Sequence, residues 1–121
     1  MFTILMVGRV ILGAYFIYNG YAHFSGLKGM TGYAQSKKVP FPKLAVIGTG
    51  VMLVVGGLSI LTGFFVTLGI ILLVLFLLPT TIMMHNFWKE TDPSARMNQQ
   101  IAFNKNFAII GALLIIIGMM M

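Results

Sequence analysis

LAVIGTGVMLVVGGLSILTGFFVTLGIILLVLFLLPTTIMMHNFW, residues 44–88, is a run of 45 residues without a formal charge, bounded by Lys43 and Lys89. At about 1.5 Å per helical residue it would extend roughly 67 Å, about twice the ~30 Å hydrocarbon core of a bilayer, so it has to fold back once. The reversal is expected at Thr62-Gly63, where a glycine can take the left-handed conformation that ends a helix and Phe64-Phe65 can sit at the interface. Spans over 44–62 and 66–87 follow. A further apolar segment covers 2–24 and another covers 101–121. The expected fold is all-α: a membrane-embedded four-helix bundle forming one domain over 1–121.

The composition agrees with that reading. Of 121 residues 59% are hydrophobic and 8% charged, and the mean hydropathy is +0.98, which excludes a water-soluble globule. The net charge of +6 would suggest nucleic acid in a polar protein, but too little polar surface exists here for a nucleic-acid groove. The absence of cysteine removes thiol relays, disulfides, iron–sulfur ligation and thiolate zinc sites. The first segment is read as a retained span, because Arg9 interrupts its apolar stretch and no small-x-small cleavage site follows. Lys28, Lys37, Lys38 and Lys43 fall in the loop 25–43, and Lys89 and Arg96 in the loop 88–100. The positive-inside rule therefore makes both loops cytoplasmic and puts both termini outside.

Within the first loop Leu27, Met30 and Ala34 recur at helical spacing while Lys28, Ser36 and Lys37 occupy other faces, the pattern of a short interfacial helix between the first two spans. Val39-Pro40-Phe41-Pro42 then stops that helix and launches the second span. Small residues mark expected packing faces, since close approach in lipid relies on packing and hydrogen bonds. Thr49, Gly56, Ser59 and Gly63 form one such face in the second span. Asn104, Ala108, Gly111 and Gly118 form another in the fourth. Pro79 deprives the Leu75 carbonyl of its helical donor, and Thr80 or Thr81 is expected to help absorb the break.

Polar residues inside a membrane are costly, so the few present are the functional candidates. Arg9, Gly13, Phe16, Gly20 and His23 advance by four, three, four and three, which places them on one stripe; Asn19 lies beside it and can reach His23 at i+4. Arg9 is either an intramembrane charge facing the bundle or a snorkelling cation. If the first and third spans both run inward, His23 and His85 arrive at the cytoplasmic end, where Asn86, Trp88, Gln99, Gln100, Asn104 and Asn106 also gather. The expected ligand-binding set is His23, His85, Asn19, Asn86, Trp88 and Asn104. A histidine there can hydrogen-bond a quinone carbonyl or exchange a proton with it, with aromatic rings alongside. The alternative is an interfacial belt of Trp and polar residues. No metal site is expected, since the carboxylates are limited to Glu90 and Asp92 in a loop.

The order of features, Gly8-Arg9-Val10-Ile11-Leu12-Gly13, Tyr18-Asn19-Gly20-Tyr21-Ala22-His23-Phe24, Val39-Pro40-Phe41-Pro42 and Gly56-Gly57-Leu58-Ser59-Ile60-Leu61-Thr62-Gly63, resembles the DoxX family of membrane proteins. The likeness extends to His85-Asn86-Phe87-Trp88 and Asn104-Lys105-Asn106. It implies a four-helix protein of a bacterial or archaeal cytoplasmic membrane, whose relatives include small subunits of thiosulfate:quinone oxidoreductase and of terminal quinol oxidases. By position Arg9 matches the basic residue opening the first helix, Gly20 the glycine near its end, and Gly57 the glycine of the second helix. Two departures stand out: relatives often carry lysine where His23 stands and an acid near Leu53. The resemblance thus implies an accessory subunit that binds a quinone or other apolar ligand for a redox partner enzyme, with catalytic residues unassigned. The competing expectation is a non-catalytic scaffold in contact with membrane lipid, with a homo-oligomer open under either.

Overall fold

In the computed structural model, which describes residues 2–121, the elements are α1 (Phe2–Ser25), α2 (Leu27–Ser36), α3 (Pro42–Thr62), α4 (Val66–Met84), a single 3-10 turn (Phe87–Lys89) and α5 (Pro93–Met120). The fold is all-α, and four of its helices are long and apolar enough to cross a membrane. The chain divides into two compact units, Met1–Leu73 and Val74–Met121.

The first unit is built on the contact of α1 with α3, and that contact is made by glycines. A Cβ placed on Gly13 would stand 2.9 Å from the Gly57 carbonyl oxygen, and one on Gly57 would stand 2.8 Å from the Gly13 carbonyl oxygen. Two turns further along, a Cβ on Gly20 would meet the Gly50 carbonyl at 2.9 Å. The two backbones therefore touch at two levels, the close approach that lets packing hold helices together in lipid. Gly13, Phe16 and Gly20 are buried while Arg9 and His23 are half-buried, so the stripe read from the sequence is the face that α1 turns to α3.

α3 serves a second neighbour with a different face. A Cβ on Gly56 would meet Leu73 Cγ at 2.5 Å, and one on Gly69 would meet Ser59 Cβ at 2.5 Å, so Gly56 and Ser59 receive the first half of α4. α3 ends at Thr62 with Gly63 in the left-handed region (φ +82°), where its N–H donates to the Ser59 carbonyl at 2.9 Å. The turn continues through exposed Phe64 and Phe65, the latter also left-handed at φ 53°.

α2 packs on α3 and α1. Leu27 and Met30 are half-buried and Ala34 is buried, so its apolar stripe is the side that packs inward. Its end is closed by Lys37, Lys38 and Val39 amides donating to the Tyr33, Ala34 and Gln35 carbonyls, after which Phe41 takes a left-handed conformation and Pro42 opens α3.

In the second unit α4 continues through Pro79 to Met84. Thr81 does not relieve the break there: its Oγ1 is buried and has no hydrogen-bond partner. α5 starts at Pro93, eight residues before the apolar segment. Asp92 Oδ2 accepts from the Ala95 amide at 2.9 Å, and Pro93, which lacks an N–H to satisfy, fits the first turn. The small-residue face expected on α5 is not its inward face. Asn104, Ala108 and Gly118 are exposed, and a Cβ on Gly111 or Gly118 would touch nothing within 4 Å. Asn106, Ile110 and Leu113 are buried instead. Two residues of helix turn the direction by about 200°, so the face led by Asn106 is nearly opposite the one led by Asn104.

Candidate functional site

Each histidine is held by its own unit, and both are held through Nδ1. In the first unit Gly50 lets α3 approach so closely that a Cβ there would lie 2.9 Å from His23 Cβ. The imidazole Nδ1 then lies 3.0 Å from the Val46 carbonyl oxygen and 3.2 Å from Thr49 Oγ1. The Thr49 hydroxyl donates back to the Ala45 carbonyl at 2.7 Å, which leaves its oxygen lone pairs facing the ring. Nδ1–H accordingly donates, chiefly to Val46, and Nε2 is the acceptor nitrogen of the neutral ring. Asn19 takes no part. Its amide donates to the Tyr15 carbonyl at 2.7 Å, one turn back in its own helix, instead of reaching His23.

Arg9 marks the other end of the α1–α3 contact. A Cβ on Gly63 would lie 2.9 Å from Arg9 Nη1 and 3.3 Å from Cζ, so the guanidinium rests against the turn that closes α3. The carbonyls of the last α3 turn have no helical donors, and their partial negative charge favours a cation at that place.

In the second unit His85 directly follows α4 and keeps a helical hydrogen bond, its amide donating to the Thr81 carbonyl at 3.2 Å. Its Nδ1–H donates to Gln99 Oε1 at 2.8 Å, which ties the end of α4 to the second turn of α5. Beside this pair the 3-10 turn and α5 assemble an aromatic group. Phe87 and Trp88 stand edge to face at 5.4 Å between ring centroids, and Phe103 meets Phe87 at 5.4 Å and Trp88 at 5.7 Å. Phe107 extends the group one turn along α5, 4.8 Å from Phe103, and the Arg96 guanidinium lies 5.9 Å from the Phe87 ring. Trp88 is 47% exposed, so one face of the group stays open. Asn86 is half-buried and precedes the turn, its carbonyl accepting from the Lys89 amide at 3.0 Å.

Of the candidate set, His85, Asn86 and Trp88 follow one another in the segment that leads from α4 through the 3-10 turn, whereas Asn104 is exposed on the far side of α5 from buried Asn106. The partners that fix the two rings, Thr49 and Gln99, were legible only as a packing residue and as one of several polar residues near the boundary. Phe103 carries a signal in hindsight: Gln99, Phe103 and Phe107 repeat every four residues, one face of one helix. Among the described residues no group of three or more His, Cys, Asp or Glu side chains could hold a metal ion.

Neither a curated protein nor a solved structure matches the chain. A family model, DoxX, matches residues 4–86, which is 83 of the 121 residues and runs from the first turn of α1 to Asn86. With four membrane-length helices, a glycine-built α1–α3 contact and this match, the chain is a small multi-pass membrane protein that belongs to the DoxX family.

Proposed function

We propose that this protein is a small integral membrane subunit that binds a quinone-like ring beside His85 and supports the redox reaction of a partner enzyme. One observation carries the reading: an imidazole oriented by Gln99 lies two residues before Phe87 of an open aromatic group, and Gln99 itself stands one helical turn from Phe103 of that group. The aromatic edges suit an apolar ring, and the fixed imidazole suits its oxygen. With Nδ1–H given to Gln99, neutral His85 can accept a hydroxyl proton at Nε2; once protonated, it can donate from Nε2 to a carbonyl. The chain would manage the proton and the ring's position, and the partner would take or supply the electrons. His23, held in the same manner within the first unit, is proposed as a hydrogen-bonding residue of that unit in its own right.

A binding titration of purified protein with a short-tailed benzoquinone tests this. His85→Leu is expected to weaken binding by about 1–3 kcal/mol, the cost of leaving a polar partner unpaired. Wild-type affinity in a folded His85→Leu variant discards the site. The second reading, a lipid-contacting scaffold, is favoured by one feature: none of the four spans contains a carboxylate to relay protons. It predicts that the purified protein carries phospholipid and no quinone.

A further inference from the structure

Arg9 is the lone formal charge within α1, and the structure gives its guanidinium a resting place but no counter-charge. The chain's two carboxylates, Glu90 and Asp92, both belong to the connection between α4 and α5. No hydrogen bond or ion pair of Arg9 occurs among the described residues. A guanidinium carries five N–H donors in a rigid fork, and placing them in an apolar helix without acceptors is costly. The residue is half-buried, so part of its side chain is accessible from outside the protein.

What it meets there follows from the turn it rests on. Gly63, Phe64 and Phe65 join α3 to α4, and a reversal between two spans lies where the chain leaves the hydrocarbon. Phe64 is 71% exposed and Phe65 79%, and the left-handed backbone at Phe65 sustains that projection. Because the turn separates two spans, Pro42–Thr62 and the one that opens at Val66, it lies at the border of the hydrocarbon, next to the zone that holds lipid phosphates. The turn itself is tied by its own groups, with Thr62 Oγ1 donating to the Leu58 carbonyl at 2.7 Å and accepting from the Phe64 amide at 3.4 Å. The fork is thus held at headgroup depth, against a rigid turn, and a phosphate offers paired oxygens that match it.

We propose that Arg9, seated on the Gly63 turn, binds the phosphate of one membrane lipid in the leaflet facing that turn. Gly63 is part of the site because any side chain there would occupy the place of the guanidinium. The α3–α4 turn carries no basic residue, so the interaction is with a single headgroup and not with a diffuse anionic surface.

The test counts lipids retained by the full chain. Purified protein in a neutral maltoside detergent is mixed with short-chain phosphatidylglycerol and measured by native mass spectrometry. Arg9→Gln is expected to retain one lipid fewer than wild type, and Arg9→Lys, which keeps the charge without the fork, to hold that lipid at least threefold more weakly. Diacylglycerol, which lacks the phosphate, should not be retained at this place. Equal lipid numbers in wild type and folded Arg9→Gln overturn the proposal. So does displacement of the lipid by inorganic phosphate at equal concentration, which would mark a free-phosphate site. A measurement without any change at Arg9 stands beside these. In an Arg96→Lys protein with ¹⁵N-labelled arginine, embedded in phosphatidylglycerol bilayers, the remaining guanidinium should show ³¹P dephasing in solid-state NMR; none would sink the idea even if Arg9→Gln fails to fold.

Discussion

Two imidazoles, each tethered through Nδ1, show how little of a side chain's chemistry is set by its type alone. His23 gives that proton to a main-chain carbonyl and His85 gives it to an amide oxygen, so both orient Nε2 by fixed geometry. Thr81 makes the contrast. Thr49 and Thr62 donate to the carbonyl four residues back, while the Thr81 hydroxyl, 0% exposed, donates to nothing. A buried hydroxyl without a partner costs about 1–3 kcal/mol, and valine keeps its shape. Thr81→Val should therefore raise the unfolding temperature of the purified protein in detergent. A lower temperature would show that the hydroxyl has a partner in the membrane.

At the scale of elements, α3 works as a two-sided helix, with Gly50 and Gly57 against α1 and Gly56 with Ser59 against α4. Gly57→Ala should destabilise the α1–α3 contact by about 1–3 kcal/mol, because both atoms it would strike within 2.9 Å of its Cβ on the partner backbone, Gly13 O and Ile17 N, cannot swing aside. Gly118→Ala, which meets nothing within 4 Å, is the matched control and should leave unfolding unchanged. Periodicity along one helix made the inward face of α1 readable from Arg9 to His23. It misplaced the inward face of α5, because a row of small residues signals close approach only when another backbone lies opposite, and there it does not. Register between helices is a relation of two segments, and this is why Gln99 and Thr49 could be read as polar residues of the right helices but not as the partners of His85 and His23. The start of α5 was hidden for another reason: its first two turns are polar, and an Asp-Pro cap instead of hydropathy begins the helix.

At the scale of the whole molecule, basic residues concentrate in the connections 25–43 and 88–100, and the α3–α4 turn has none. Cytoplasmic placement of both connections predicts that a membrane-impermeant amine reagent applied outside intact cells leaves Lys37, Lys38 and Lys89 unmodified, as read by peptide mass spectrometry. Their modification would invert the orientation. The four spans were legible because charge and length alone demand them, whereas the direction of each ring and the resting place of Arg9 depend on contacts made after the spans are in place. That order matters during synthesis. Arg9 leaves the ribosome 54 residues ahead of Gly63, an interval of about 3–11 s at ~5–20 residues per second. For those seconds α1 has neither the glycine face of α3 nor the turn that seats its guanidinium. The nascent chain therefore carries an unseated cation until the Gly63 turn has been made.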